Sequence, residues 1–203
     1  MLTLALIHFF MVSADTPACA QQADTINIVQ TSTKGTIKAT SSSPQKIFSE
    51  IARYLYGQRQ VSSISYSSRK INHRIDSAQL FEVPGGESPA ALFALPGYEA
   101  DYILTINSYP KGFFKTRVFA PTGVFLDSSF RPTHFLAERK FQYTPATQNT
   151  DMLLETEVTI DSERKEDKYL LIYTTNKTGR LVSYDKYVMR SAQGIVGLEL
   201  HLR

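Results

Sequence analysis

From Ser77 onward the chain is cut into short apolar runs, each closed by proline, glycine or a group of charges, and that punctuation selects strands over helices. Leu80 to Val83 ends at Pro84-Gly85-Gly86, Ala90 to Leu95 lies between Pro89 and Pro96, and Tyr102 to Tyr109 ends at Pro110-Lys111-Gly112. Met152 to Ile160 alternates most plainly. Met152, Leu154, Thr156, Val158 and Ile160 share one face of a strand, and Glu155, Glu157 and Thr159 share the other. Its expected partner, Tyr169 to Thr175, follows the charged turn from Asp161 to Asp167, and near the end Val196, Leu198, Leu200 and Leu202 alternate against Glu199, His201 and Arg203. Short strands at this spacing predict a mainly β domain over 77–203, a single antiparallel β-sandwich of immunoglobulin-like or jelly-roll-like kind.

Ahead of the strands, Ser41-Ser42-Ser43-Pro44 has the form of a helix start, a serine cap followed by proline in the first turn. Ile47, Phe48, Ile51 and Leu55 then fall on one face and Gly57 ends the run, so one short N-terminal amphipathic helix is predicted over 44–57. Residues 21–43, rich in Thr, Ser and Gln, bury little and read as an extended polar arm. The first residues are apolar from Leu2 to Val12 and continue through small residues to Ala18-Cys19-Ala20. That is the form of a secretory signal peptide over 1–20, cleaved after Ala20. The run is well short of the roughly 20 residues that a membrane-crossing helix takes, so the mature chain is expected to be exported without a transmembrane segment. Cleavage at Ala20 removes Cys19, the one cysteine of the sequence; the alternative is that Cys19 becomes a lipidated N terminus.

The 203 residues are enough for one domain with a real core. Lys plus Arg is 22 against 19 for Asp plus Glu, a net charge of +3 too diffuse to predict a nucleic-acid partner. His73, His134 and His201 stand alone with no cysteine beside them, so no metal site is assigned. No Gly-x-Ser-x-Gly elbow occurs, and the glycines at 85–86 and 194–197 do not lead into the Lys-Ser or Lys-Thr of a phosphate loop, so no cofactor is assigned either. Glu155 and Glu157 lie two apart on one strand face, a pairing that glycoside hydrolysis employs. Both point away from core residues beside a charged turn, however, where a solvated acidic face is the ordinary outcome. No catalytic residue is assigned, and the chain reads as non-enzymatic.

The run Arg117-Val-Phe-Ala-Pro-Thr-Gly-Val-Phe-Leu-Asp-Ser-Ser-Phe-Arg-Pro-Thr-His-Phe135 carries a strand ending in Phe-Ala-Pro and then a second strand turning at Leu-Asp. Phe141-Gln-Tyr-Thr144, the Leu153 to Ile160 strand and Leu170-Leu-Ile-Tyr-Thr-Thr175 follow in order. Together they resemble the maltose operon periplasmic protein (MalM-like) family. The resemblance implies a periplasmic accessory or binding protein associated with carbohydrate transport of maltose or maltodextrin type, whose partner is an oligosaccharide or a periplasmic or envelope protein. A structural or assembly protein of the envelope is the alternative class.

The resemblance brings no agreed functional residues, so the candidates come from the chain itself. Asp127, Arg131 and His134 lie in the turn Asp-Ser-Ser-Phe-Arg-Pro-Thr-His, with Tyr143 after it. They offer carboxylate and guanidinium groups to hydrogen-bond sugar hydroxyls, beside rings that pack on the apolar faces of sugars. The plainer reading of the same residues is that Asp127 caps its turn, Arg131 is solvated, and Phe130 and Phe135 belong to the core.

Overall fold

The structure, a computed structural model, describes residues 29–31, 36–40, 43–76, 78–111, 117–144, 153–175, 180–181 and 188–203; the expected signal segment, with Cys19 and Ala20, lies outside them. The first half holds β1 (Val29–Thr31), β2 (Thr36–Lys38), helix α1 (Pro44–Gly57), β3 (Val61–Ser63), β4 (Lys70–Ile75), β5 (Leu80–Val83), β6 (Gly86–Ser88), β7 (Ala90–Ala94) and β8 (Tyr102–Lys111). The second holds β9 (Arg117–Phe119), β10 (Thr122–Leu126), β11 (Pro132–Leu136), β12 (Gln142–Thr144), β13 (Leu153–Ile160), β14 (Tyr169–Tyr173), β15 (Arg180–Leu181), β16 (Val188–Ser191) and β17 (Gly194–Leu202). The protein is mainly β with one α-helix among the described residues.

The strands form three sheets. A small one runs β1-β2-β5-β6 and a central one runs β11-β10-β14-β7-β3. In the large one β8 lies between β13 and β17, β4 pairs on the far side of β17, and β9, β16 and β15 continue from the end of β8.

The central sheet is apolar on both faces. On β14, Leu170 and Ile172 enter the core shared with the large sheet, while Leu171 and Tyr173 enter the core beneath α1. On β10 and β7, Phe125, Ala91 and Phe93 face the large sheet, and Val124, Leu126 and Leu92 face the helix. A strand buried on both sides needs apolar residues in succession instead of in alternation, and Leu170-Leu171-Ile172 and Ala91-Leu92-Phe93 are such runs. The large sheet alternates as expected: Leu104, Ile106, Val158, Ile160, Leu198 and Leu200 are buried inward, and Glu157 and His201 are exposed.

This arrangement corrects the expectation of a single antiparallel sandwich in two respects. The small sheet joins the expected helix in a layer on the far side of the central sheet, which its continuous apolar runs require. In addition, three strand pairs, β2 with β5, β3 with β7 and β9 with β16, are parallel. Of the stretch expected to be an extended polar arm, Thr36–Lys38 is extended and built into the fold, with Ile37 opposite Phe81 and buried in the helix-side core.

Helix α1 starts where Ser43 precedes Pro44 and buries Phe48, Ile51, Ala52 and Leu55. At the other boundary of the main core sits a buried carboxylate. Asp167 accepts hydrogen bonds from Thr133 Oγ1 and from Arg164 Nε at 2.8 Å, and it pairs with His134 Nδ1 at 3.1 Å. Arg164 lies with its guanidinium carbon 4.2 Å from the centre of the Phe125 ring. These contacts clamp the charged turn after β13 onto β11, across the sheet-to-sheet interface.

Two predictions follow from this packing. Val158→Asp should lower the unfolding free energy in urea by at least about 3 kcal/mol, because it puts an unpaired charge into the core, whereas Glu157→Ala should stay within about 0.5 kcal/mol of the parent. Asp167→Ala should cost about 3 to 5 kcal/mol, since it strands the Arg164 cation with no carboxylate; a loss below 1 kcal/mol would show that the clamp carries no weight.

Candidate functional site: an aromatic platform at the β10–β11 turn

The turn after β10 is built by one side chain. Asp127 Oδ1 accepts the amides of Ser129 and Arg131, each at 2.8 Å, and Oδ2 accepts Arg131 Nε at 3.0 Å. The backbone closes it, with Phe130 N donating to Asp127 O at 3.0 Å and Asp127 N donating to Arg131 O at 2.9 Å. Phe130 is thereby held at φ +62°, the left-handed region that a bulky side chain rarely enters. Its ring stacks on Tyr169 with centroids 4.7 Å apart and planes 25° apart. Tyr56, from the last turn of α1, leans on both rings, 5.3 Å from Phe130 and 5.9 Å from Tyr169. Arg53, one turn earlier on the helix, donates to Ser129 O at 3.2 Å and ties helix to turn.

Three rings thus meet, with Tyr56 51% exposed and Phe130 and Tyr169 half-buried against the helix-side core, and the side chain of Arg131, next to Phe130 in the chain, is 75% exposed. Burial, then the neighbouring Tyr56, raises the Tyr169 phenol above its ordinary range, so it stays a neutral hydroxyl at physiological pH. An exposed ring, Tyr56, close to arginine donors suits a polyhydroxylated ligand: the ring packs on its C–H face and arginines donate to its hydroxyls.

Of the four candidates read from the sequence, Asp127 and Arg131 shape this platform. His134 does not join it. It lies on the other face of β11, opposite Phe125, where it binds Asp167. Tyr143 pairs with Leu154 and packs on Val118, Ala120 and Leu154, at the opposite end of β13 from the Asp167 turn. Sequence reasoning missed Tyr56 and Tyr169, and its plainer reading, Phe130 as a core residue, is met in part, because that ring is half-buried against the helix-side core. The available signal was Phe130 itself, a bulky residue inside an Asp-Ser-Ser turn where glycine or asparagine is the ordinary occupant. Among the described residues no group of three or more His, Cys, Asp or Glu side chains is arranged to hold a metal ion.

The Asp127 carboxyl is pushed up by partial burial, but the amides of Arg131 and Ser129 and the Arg131 guanidinium outweigh that and set it below its ordinary value of 3.8. A carboxyl that is more acidic in the folded chain stabilises it fully above the unfolded value, and the contribution fades as pH falls through the folded one. Asp127→Asn has no such titration. Between about pH 5 and 3 its urea midpoint should therefore fall less steeply than that of the parent; parallel curves would show that the turn is indifferent to the charge.

Residues 85–184 match the family described as maltose operon periplasmic protein precursor, MalM. The maltose operon periplasmic protein of Escherichia coli (strain K12) is 26% identical over 115 residues, which is 56% of this chain and 37% of that protein. The alignment thus spans little more than a third of the relative's length. A solved structure titled as CorA, a surface-associated copper-binding protein important in Methylomicrobium album BG8 copper acquisition, is 7% identical, with a TM-score of 0.32 over 70% of this chain and 98% of that one; a likeness that slight carries no argument here. Among the described residues no helix is long and apolar enough to cross a membrane, and the relative's periplasmic location is taken as that of this chain. Asp127, Phe130, Arg131 and Tyr169 all lie inside the matched stretch, and over residues 85–184 the chain is MalM-like, similar to the maltose operon periplasmic protein family.

Proposed function

We propose that this chain is a non-enzymatic periplasmic binding or accessory protein for carbohydrate transport, and that it holds a maltodextrin-type oligosaccharide against Tyr56, Phe130 and Tyr169. The observation that carries the reading is the coincidence of the platform with the MalM-like stretch: three of its ring and guanidinium groups, Phe130, Arg131 and Tyr169, lie within residues 85–184. Stacked rings bordered by an exposed arginine are the chemistry that a neutral sugar needs. The two larger sheets, facing one another over one core, act in this reading as a β-sandwich scaffold that keeps the turn in place.

The test is calorimetric titration of maltotriose and maltoheptaose into the full chain. Tyr56→Ala and Phe130→Gly should each weaken binding by about 1 kcal/mol, roughly fivefold. Glycine accepts the backbone angle at position 130, so the fold survives that change. Arg131→Ala should weaken binding by a similar amount through a lost donor. Wild-type protein that takes up neither sugar would overturn the proposal.

The alternative, a structural or assembly protein of the envelope, is favoured by one observation. Among the described residues β11 is an edge strand, pairing only with β10, and it carries Phe135 at 61% exposure. An edge with an exposed ring is a place where a protein partner can add a strand. Loss of a co-purifying envelope protein on Phe135→Lys, with sugar binding absent, would favour this reading.

A further inference from the structure

A second concavity opens on the other side of the α1 C terminus and shares no residue with the platform. It is a cleft of about 400 Å³ between α1, the β3 edge, β4 and β5, floored by Leu55 and Phe81. Arg59, Ser62, His73, Arg74, Asp76 and Gln79 supply its polar lining. Neither the Arg59 nor the Arg74 guanidinium makes a hydrogen bond or an ion pair with a described residue. His73 is tied to Ser62 Oγ through Nδ1 at 2.8 Å. Burial, only partly opposed by Asp76, lowers its pKa, so it stands neutral at physiological pH. Asp76, the single carboxylate of the lining, accepts the amide of Ala78 at 3.0 Å. The residues bordering the cleft thus include two arginines without a partner among the described residues against one engaged anion; Arg74, which alternates with His73 along β4, also borders a separate hollow with Pro110 and Ile195.

The way Arg59 reaches this position adds a second, independent observation. It has φ +57° just beyond the helix, where Gln60 N donates back to Leu55 O at 2.9 Å. That is the place in a helix end where glycine is the ordinary occupant and other side chains are strained. Arg59 is exposed, so no core packing compensates, and among the described residues its guanidinium has no partner.

We propose that this cleft binds an oxyanion, the phosphate or carboxylate group of a compact hydroxylated molecule, held by Arg59 and Arg74. Guanidinium forks match both groups with paired hydrogen bonds, the Leu55 and Phe81 floor accepts a C–H face, and the amide of Gln79 and the Ser62–His73 pair meet hydroxyls. A sugar phosphate and a sugar acid share this chemistry. The inference goes beyond the platform, which needs no charge on its ligand.

The experiment titrates the full chain with glucose 6-phosphate, glucuronate, inorganic phosphate and glucose, with maltotriose run alongside. An acidic sugar should bind with a Kd of about 1 mM or tighter while glucose does not. Arg59→Gly and Arg74→Gln should each weaken it roughly tenfold, the loss of one charge-assisted contact. Arg59→Gly should at the same time raise the melting temperature, because it relieves the backbone angle; a protein that is more stable yet binds less separates site from fold. Binding by glucose 6-phosphate alone identifies phosphate as the group, binding by glucuronate alone identifies carboxylate, and inorganic phosphate as strong as its ester shows that the anion is recognised without the sugar. Failure of both acidic sugars to bind, or affinities unchanged in both variants, overturns the proposal. Maltotriose reports on the platform, so its result stands or falls separately.

Discussion

A sheet covered on both faces governs this structure. Three strands of the central sheet, β7, β10 and β14, have to satisfy two cores at once: Phe93, Phe125, Leu170 and Ile172 point to the large sheet, while Leu92, Val124, Leu126, Leu171 and Tyr173 point to the helix. Each fully buried aliphatic or aromatic side chain contributes about 1.5 to 3 kcal/mol of transfer free energy, so losing either cover exposes a full row of them. The helix is accordingly a structural layer with Phe48, Ile51, Ala52 and Leu55 wedged against the sheet. Because its burial fixes its axis, its last turn is delivered to one place, and both candidate binding surfaces are built from what that last turn brings: Tyr56 on one side, Leu55 and Arg59 on the other.

Polar groups inside the fold are distributed unevenly. Ser88 Oγ receives the amide of Thr174 at 2.9 Å, joining β6 to the end of β14, and Ser108 Oγ donates to Phe119 O at 2.6 Å, just past the paired residues of β8 and β9. The Asp167 carboxylate gathers three donors in the same way. Tyr102 differs. Its hydroxyl is buried with no partner among the described residues, and burial, with Tyr66 and Asp167 adding to it, pushes that phenol far above its ordinary range. An unsatisfied buried hydroxyl costs on the order of 1 to 3 kcal/mol, so the ring of Tyr102, edge-on to Tyr66 at 5.9 Å, contributes enough packing to outweigh it.

What the sequence disclosed depended on how local the governing interaction was. The helix was legible because its start, its face and its stop all lie within Ser43 to Gly57, and β13 was legible because alternation between Leu154 and Ile160 records a single wet face. The layering was not. Leu170-Leu171-Ile172 states that both faces are buried, but what covers each is decided by residues as remote as Ile37 and Phe48, and two parallel pairings of the smaller sheets, β2 with β5 and β3 with β7, join segments that no hairpin turn connects. The site was half legible for the same reason. Asp127 and Arg131 are four residues apart and announce their turn, whereas Tyr56 and Tyr169 reach it only through the fold, and His134, the third residue of β11, is turned to the opposite face.

Arg59 and Phe130 are the two described residues other than glycine with a left-handed backbone, and each stands beside one of the two surfaces. Such a conformation costs about 1 kcal/mol or more for a residue with a full side chain. At position 130 the fold returns part of that through the stacking of Phe130 on Tyr169, though an Asp127 turn with glycine at its fourth place would close with the same hydrogen bonds. At position 59 nothing is returned, because the helix end needs only the backbone bond from Gln60 to Leu55 and the guanidinium meets no partner among the described residues. Strain kept at an exposed position, where packing has no use for the side chain, is strain held for something outside the chain, and of the two residues only Arg59 is exposed, since Phe130 packs on the helix-side core. In this protein that argument points to the Arg59 cation at the cleft, the kind of group by which an oxyanion is recognised.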